Sequence, residues 1–370
     1  MNSPLDQLKY QVALTLLPGV GSVLAKNLVS YCGSVEAVFK KKKYQLEKIP
    51  GIGSERAEAI LNHAVFEKAE QEVQFIRKHK IKTFFYLDPD YPTRLKNCED
   101  SPVLLFMKGE ADLNKERMIA LVGTRNSTPY GKQVTEIFVE GFSKYNATIV
   151  SGLAYGIDII AHKEALKNNL STIGVLAHGL DRIYPGIHKP VAEKMIHNGG
   201  VLTEFISKTN PDRENFPSRN RIVAGMTEAT IVIESATKGG ALITADIANS
   251  YNRDVFAVPG KVGEQYSEGC HELIRTNKAM LIESADQVAE MLNWNDDTIK
   301  KKESKQLKFF HELKPEEKVL VGLLQQSGKL DIDNLSIQAN MATSKVSSTL
   351  LSLEFAGLLR SLPGKVYELV

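Results

Sequence analysis

Between Arg117 and Leu292 the chain alternates short apolar runs with longer amphipathic stretches, the pattern of a parallel α/β sheet covered by helices. The runs at 118–123, 147–151, 172–176, 201–204, 230–234, 255–258 and 279–282 read as strands. Each is apolar almost throughout, as strands buried on both faces must be. Two further runs, 83–87 and 103–107, flank the turn sequence Asp88-Pro89-Asp90-Tyr91-Pro92 and read as a lead-in to this sheet. Residues 8–75 carry helical spacing instead, interrupted by two similar turns, Leu17-Pro18-Gly19-Val20-Gly21-Ser22 and Ile49-Pro50-Gly51-Ile52-Gly53-Ser54. A connecting helix is expected over 67–79. After Trp294 the chain turns polar and charged. Beyond it, helices are expected at 315–326, 332–338 and 342–356, followed by a hairpin of 358–362 and 366–370 turning at Pro363-Gly364. The pattern divides the chain into a helical domain (1–78), a central α/β domain (79–293), a linker (294–313) and a small C-terminal module (314–370).

A chain of 370 residues is long enough for two or three such domains. With 43% hydrophobic and 24% charged residues and a formal charge of +2, it carries no global field, so any basic site must be local. Cys32, Cys98 and Cys270 are scattered and lack metal-ligand spacing, which predicts free thiols in a reducing compartment, with no metal and no cofactor. The opening Met1-Asn2-Ser3-Pro4 has no basic n-region, and no apolar run approaches membrane length. The expected location is cytoplasmic, with no membrane partner.

In parallel sheets ligands bind beyond the carboxyl ends of the strands, so the segment after each strand carries the chemistry. The first is followed by Gly123-Thr124-Arg125, the second by Ser151-Gly152-Leu153-Ala154-Tyr155-Gly156, and the fifth by Lys238-Gly239-Gly240. The fourth leads into Phe216-Pro217-Ser218-Arg219-Asn220-Arg221-Ile222-Val223-Ala224-Gly225. Pro217 suits the first turn of a helix, whose N-terminus attracts anions; guanidiniums add bidentate phosphate recognition, and Phe216 offers a face to a base. Glycines and small hydroxyl residues recurring along one rim, with Arg125, Arg219, Arg221 and Lys238, predict an extended phosphate-binding surface.

Other chemistries fit less well. Gly123-x-Arg125 lacks the second glycine of a dinucleotide fingerprint, and no P-loop Gly-Lys-Ser/Thr occurs. Ser151, Asp158, His162 and His178 include the types of a hydrolase, but Ser151 lacks a Gly-x-Ser-x-Gly elbow. His162, one turn after Asp158, reads as a satisfied polar group at a helix–sheet interface, and His178 has no assigned role.

The paired Pro-Gly-x-Gly turns resemble the helix-hairpin-helix, in which glycines let a turn approach a phosphate. The C-terminal order of three helices and a hairpin is that of a winged helix. Its third helix carries one cation, Lys345, which favours a protein-binding role at least as much as duplex binding. Across the central domain the chain resembles the DNA-processing protein A (DprA/Smf) family: Gly123-Thr124-Arg125 with Tyr130-Gly131, Ser151-Gly152-x-Ala154-x-Gly156-Ile157-Asp158, Tyr184-Pro185, Phe216 to Gly225, Lys238-Gly239-Gly240, Val258-Pro259-Gly260 and Ser267-Glu268-Gly269-Cys270. His271 stands where the family commonly has Asn.

The resemblance implies an extended Rossmann-like, doubly wound, mainly parallel sheet between the helix-hairpin-helix and winged-helix domains. It implies a non-catalytic protein that binds and protects single-stranded DNA, dimerises through the central domain, and helps load RecA in natural transformation. The dimer interface is expected around residues 265–292. Carried over, Arg125 would hold a phosphate, with Gly123, Thr124 and the stretch Ser151, Gly152, Ala154 and Gly156 supplying the rim. Phe216 would stack a base, and Arg219 and Arg221, with Asn220 between them, would hold phosphates or brace the loop. Lys238, Gly239 and Gly240 would complete the surface, and Arg213 would add a basic contact. Two alternatives stand beside this. One is a nucleotide-binding protein or nucleotide-sugar hydrolase of a related Rossmann family using Glu204 or Glu234, against which counts the missing Pro-Gly-Gly-x-Gly-Thr run. The other is a scaffold acting through its outer domains.

Overall fold

A computed structural model describes residues 4–62, 64–294, 314–356, 358–362 and 365–369. The residues up to Trp294 form one compact unit, and those from Asn295 a second. The expected linker beyond Trp294 and the Pro363-Gly364 turn lie outside the described residues.

The first unit opens with six helices: α1 (Pro4–Thr15), α2 (Ser22–Cys32), α3 (Val35–Lys40), α4 (Lys43–Leu46), α5 (Ser54–Leu61) and α6 (Val65–Lys78). Both Pro-Gly-x-Gly turns work alike. Gly19 and Gly51 take positive φ (+69° and +84°), and Gly21 and Gly53 then cap α2 and α5. A Cβ on Gly51 would lie 2.7 Å from Leu24, so the turns also set how closely the two hairpins pack.

The sheet follows: β1 (Lys82–Phe85), α7 (Thr93–Lys96), β2 (Leu104–Gly109), β3 (Met118–Val122), α8 (Pro129–Ser143), β4 (Thr148–Ser151), α9 (Ile157–Lys167), β5 (Thr172–Val175), α10 (Lys189–Met195) and β6 (Gly199–Thr203). It continues with α11 (Asn215–Met226), β7 (Ala229–Val232), α12 (Gly240–Ser250), β8 (Asp254–Ala257), α13 (Glu268–Arg275), β9 (Met280–Leu281) and α14 (Ala285–Met291). The strand order is β1-β2-β6-β5-β4-β3-β7-β8-β9. The strands from β6 to β9 run parallel, whereas β2 pairs antiparallel with β6 and β1 antiparallel with β2. The lead-in strands are therefore the edge of the same sheet.

Alternation along β3 shows how the layers form. Met118, Ala120 and Val122 face the helices α11, α12 and α13, while Ile119 and Leu121 face α8, α9 and α14. The N-terminal helices share a third cluster with Phe85, Leu104, Phe106 and Ile206, so they pack against the β1–β2 end of the sheet. Lys26 on α2 reinforces that junction by donating to the Glu99 carbonyl (2.9 Å) and Ser101 Oγ (2.6 Å). Trp294, assigned above to the linker, is instead core. Its indole is 5% exposed, packs on Phe142 and Tyr145, and donates to Glu228. Its polar flank hid an apolar surface large enough to close the sheet.

The second unit holds α15 (Pro315–Ser327), β10 (Lys329–Asp331), α16 (Ile332–Ala339), α17 (Thr343–Phe355), β11 (Leu359–Leu362) and β12 (Val366–Leu369) around a core of Leu320, Leu324, Leu335, Val346, Leu350 and Leu353. The strand β10, unseen in the sequence, adds to the hairpin in the order β10-β12-β11 and completes a winged helix.

His162 is fully buried on α9. Its Nδ1 bonds to Thr172 Oγ1 (2.7 Å), but Nε2 has no partner, so the ring is only half satisfied. Burial, then the nearby Arg219 and His188, push its pKa down from 6.5 to about 3. The unfolded chain therefore binds a proton that the fold rejects between those values, and stability falls as pH drops through this window. In urea titrations, His162→Asn is expected to shallow the acid loss by up to about 1.4 kcal/mol per pH unit between those limits. An unchanged slope would mean that the imidazole does not carry that acid sensitivity.

Candidate nucleic-acid interface

Strand order reverses about β3: the chain steps through β4, β5 and β6 on one side before returning to β7 on the other. Beyond this switch point, where parallel sheets open a crevice, lies a pocket of about 470 Å³. Gly123, Thr124, Arg125 and Asn126 line it after β3, Gly152, Ala154 and Asp158 after β4, and Lys238, Gly239 and Gly240 after β7. The first turns of α9, α11 and α12 all border it, and each carries the partial positive charge of a helix N-terminus.

Close backbone approach explains the glycines. A Cβ on Gly123 would lie 2.4 Å from Ile157, and one on Gly156 2.1 Å from the Thr124 carbonyl; Gly156 also sits at φ +75°. The loops after β3 and β4 are thus pressed together, joined by the Ile157 N–H to the Thr124 carbonyl (3.2 Å). Gly152 is small for another reason: a Cβ there would meet the Arg219 guanidinium at 2.5 Å.

Arg219 is 5% exposed and donates to the carbonyls of Gly152 and Val175 and, through Nε, to Asn220 Oδ1 (3.1 Å). Burial lowers its pKa to about 10, against the pull of Asp158, so it remains charged at neutral pH. Asp158, also buried, accepts from the N–H groups of Gly152 (3.1 Å) and Ala154 (3.4 Å). Burial raises its carboxyl pKa, while Arg219 and these backbone donors oppose the shift. The β4 loop is therefore held from beneath by one cation and one carboxylate.

Phe216 lies above this brace, half-buried. The guanidinium carbons of Arg125 and Arg219 lie over its ring, 5.1 and 5.9 Å from the centroid. Arg125 and Lys238 are exposed, and among the described residues neither forms an ion pair.

Not every expected residue joins the pocket. Arg221 points elsewhere: it pairs with Glu204 and donates to the Asp100 carbonyl. Successive helical residues turn by about 100°, so positions two apart face opposite ways, while Phe216, Arg219 and Asn220 at i, i+3 and i+4 share a face. Arg219 enters as a brace, with its guanidinium committed to carbonyls. Ser151 is buried and donates to the Leu121 carbonyl, so it supports the strand behind the pocket. Arg213 is exposed on the loop before α11 and does not line the pocket. Glu234 receives the Thr128 N–H (3.0 Å) and hydroxyl, and neither it nor Glu204 lines the pocket.

Sequence reading missed Tyr266, which lines the pocket and accepts from Asn126 Nδ2 (3.3 Å). It also missed Tyr155 and Tyr184, which line a side niche of about 50 Å³ with Phe216 and His178. The His178 ring links Nδ1 to the Gly179 carbonyl (2.9 Å) and takes the Tyr184 N–H on Nε2 (3.2 Å), and so shapes that niche. Asp181 is likewise structural, accepting from the Lys208 N–H (2.7 Å). The His271 Nε2 lies 3.0 Å from the Gly260 carbonyl, so the departure from the family's Asn keeps a polar side chain against the Pro259-Gly260 turn.

The model of the DNA recombination-mediator protein A family matches residues 82–293, which contain this whole pocket. The chain belongs to that family. A tandem helix-hairpin-helix model matches residues 12–64, and a DprA winged-helix model matches 311–365. Protein Smf of Synechocystis is 37% identical over 76% of this chain and 72% of its own length. The solved structure of DprA from Streptococcus pneumoniae superposes with a TM-score of 0.64 at 33% identity, covering 76% of this chain and 97% of that one. DNA processing protein A from Helicobacter pylori, studied for its single-stranded DNA binding mode, gives 0.53 at 30% identity, covering 58% and 97%.

Exposed and buried arginines of the pocket make different predictions for stability. Arg219→Met removes charge-assisted bonds and leaves the Gly152 and Val175 carbonyls unpaired, at about 1.5–3 kcal/mol per bond. Arg125→Ala is expected to stay within about 0.5 kcal/mol of wild type, as for other surface substitutions. Chemical denaturation of both variants checks this, and equal losses would contradict the division of roles.

Proposed function

We propose that this chain binds single-stranded DNA in the switch-point pocket without catalysing a reaction on it. The observation that carries the reading is the pocket's inventory: two cations without an ion pair among the described residues, Arg125 and Lys238, a half-buried aromatic, and three helix N-termini. Among the described residues the one carboxylate lining it is Asp158, already committed to backbone N–H groups. A general acid or base needs a free titratable group within reach of substrate. Glu204 and Glu234, the candidates for a hydrolase, are held by Arg221 and Thr128. The kinship with a Helicobacter pylori protein studied for single-stranded DNA binding supports the same reading. Arg125 and Lys238 hold phosphates and Phe216 packs against a base; a duplex would hide its bases from that ring.

On this reading the protein works in the cytoplasm, protects incoming strands and helps load RecA during natural transformation. It does so as a homodimer through the central domain. The end of the sheet supports such a pairing. Met280 and Leu281 on edge strand β9 are each 45% exposed, and an exposed edge strand is a template for association. Two linked sites on one strand raise affinity through effective concentration.

Titration with oligo-dT and its duplex counterpart tests the binding mode. The single strand should bind far more tightly at equal salt. Arg125→Ala is expected to cost about 1.5–3 kcal/mol and to reduce the log–log salt slope by roughly 0.7. Phe216→Ala is expected to cost about 1–3 kcal/mol with the slope nearly unchanged. Comparable affinity for duplex, or a slope indifferent to Arg125, would sink the proposal. For assembly, light scattering of a Met280→Lys, Leu281→Lys double variant should show monomers with weakened binding to long strands. Wild-type protein that is monomeric at micromolar concentration with full affinity would refute the homodimer.

A further inference from the structure

A second basic groove, of about 400 Å³, lies where α6 of the N-terminal helices meets the loop after β6. Lys68 and Lys78 on α6 form one wall and Lys208 the other; all three are exposed, and among the described residues none forms an ion pair. Phe75 and His79 line it as a ring pair with centroids 4.4 Å apart. The carboxylate in its wall, Glu72, is buried with its oxygens committed to hydrogen bonds: both accept the Ser207 N–H (3.0 Å), and the Ser207 hydroxyl adds a further bond. Glu70, on the same helix, is paired with Lys9 (3.2 Å). What the groove presents is cations beside aromatic surface, the combination that tracks a single strand.

This groove neighbours the side niche of the pocket across one packed loop-to-loop contact. The side niche shares Arg125, Phe216 and Arg219 with the pocket. At its other end it reaches His178, whose neighbour Gly179 donates to the Thr209 carbonyl (3.2 Å) in the wall of the groove. Gly179 also packs so closely on this loop that a Cβ would lie 2.3 Å from the Ile206 carbonyl. The loop from Ile206 to Glu214 then leads along the chain into α11 and Phe216, with the exposed Arg213 in its last residues. Lys208 holds a left-handed backbone (φ +65°) fixed by its N–H on Asp181, which settles where its side chain leaves the loop.

We propose that the Lys68–Lys78–Lys208 groove is a second subsite for the same DNA strand, taking the phosphodiester backbone that runs on from Phe216. The inference rests on single-stranded DNA binding in the pocket. It gives the N-terminal helices a role in DNA binding through α6, apart from their Pro-Gly turns. Arg213 becomes a stepping point along the path, which accounts for a cation outside the pocket proper.

The test uses the full-length chain with a ladder of fluorescent oligo-dT lengths and a variant Lys68→Gln, Lys78→Gln, Lys208→Asn, the last residue tolerating a left-handed backbone. The shortest strand that binds wild type through Arg125 should bind the variant with unchanged affinity. Longer strands should bind the variant more weakly, with the salt slope lowered by about 0.7 for each lysine that no longer meets a phosphate. Equal weakening for short and long strands would show general attraction only and overturn the subsite; so would no weakening at any length. Arg125→Ala run in parallel separates the two claims. If it leaves the affinity for the shortest strand unchanged, the pocket reading fails; if it weakens that binding while the triple variant matches wild type on long strands, only the groove fails.

Discussion

Arg219 sits inside the protein with its guanidinium bonded to the carbonyls of Gly152 and Val175, and the pocket is arranged around it. A buried cation is expensive unless its donors are matched and an opposite charge is near. Here the carbonyls supply the match and Asp158 the charge, while the same carboxylate fixes the N–H groups of Gly152 and Ala154. Cost and use are linked. The glycine at 152 exists because no Cβ fits beside the guanidinium.

The position of this brace follows from topology. A strand order that reverses at β3 leaves a gap between the loops after β4 and β7. Helices leaving that gap present their N-termini to it, so the fold supplies a favourable potential before any side chain is added. Arg125 and Lys238 stand at the rim, exposed, where salt screens their charge, whereas Arg219 lies beneath at low dielectric, where screening is weak.

Much of this was legible in the sequence because it is local chemistry. Apolar runs of strand length, glycines at strand ends, and Phe216-Pro217 opening a helix are each decided by a few adjacent residues. What was not legible depends on direction or distance. Arg219 and Arg221 look equivalent in the sequence, but two helical positions separate a brace inside the pocket from an ion pair with Glu204 on another side. Tyr266 reaches the site from a loop after β8, and no periodicity reports that. Trp294 was hidden by its polar neighbours, and β10 by its brevity. The bonds of Glu72 to Ser207 join residues 135 positions apart, and with them the groove beside α6 becomes visible only in three dimensions.

The arrangement also favours the proposed strand over a mononucleotide as the ligand of this site. A nucleotide-binding pocket closes around its ligand, and selectivity comes from groups that meet the base and sugar within one enclosure. This pocket instead adjoins the Tyr155–Tyr184 niche, and on the proposed path the strand passes on to the groove of Lys208, so that exposed cations stand at both sites. Spaced cations gain little from one compact anion, since only one or two can reach it. A polyanion of regular charge spacing engages them in series, releasing a counterion at each step. Aromatic surface at Phe216 and again at Phe75 and His79 fits the same ligand, because unpaired bases recur along the strand as regularly as its phosphates.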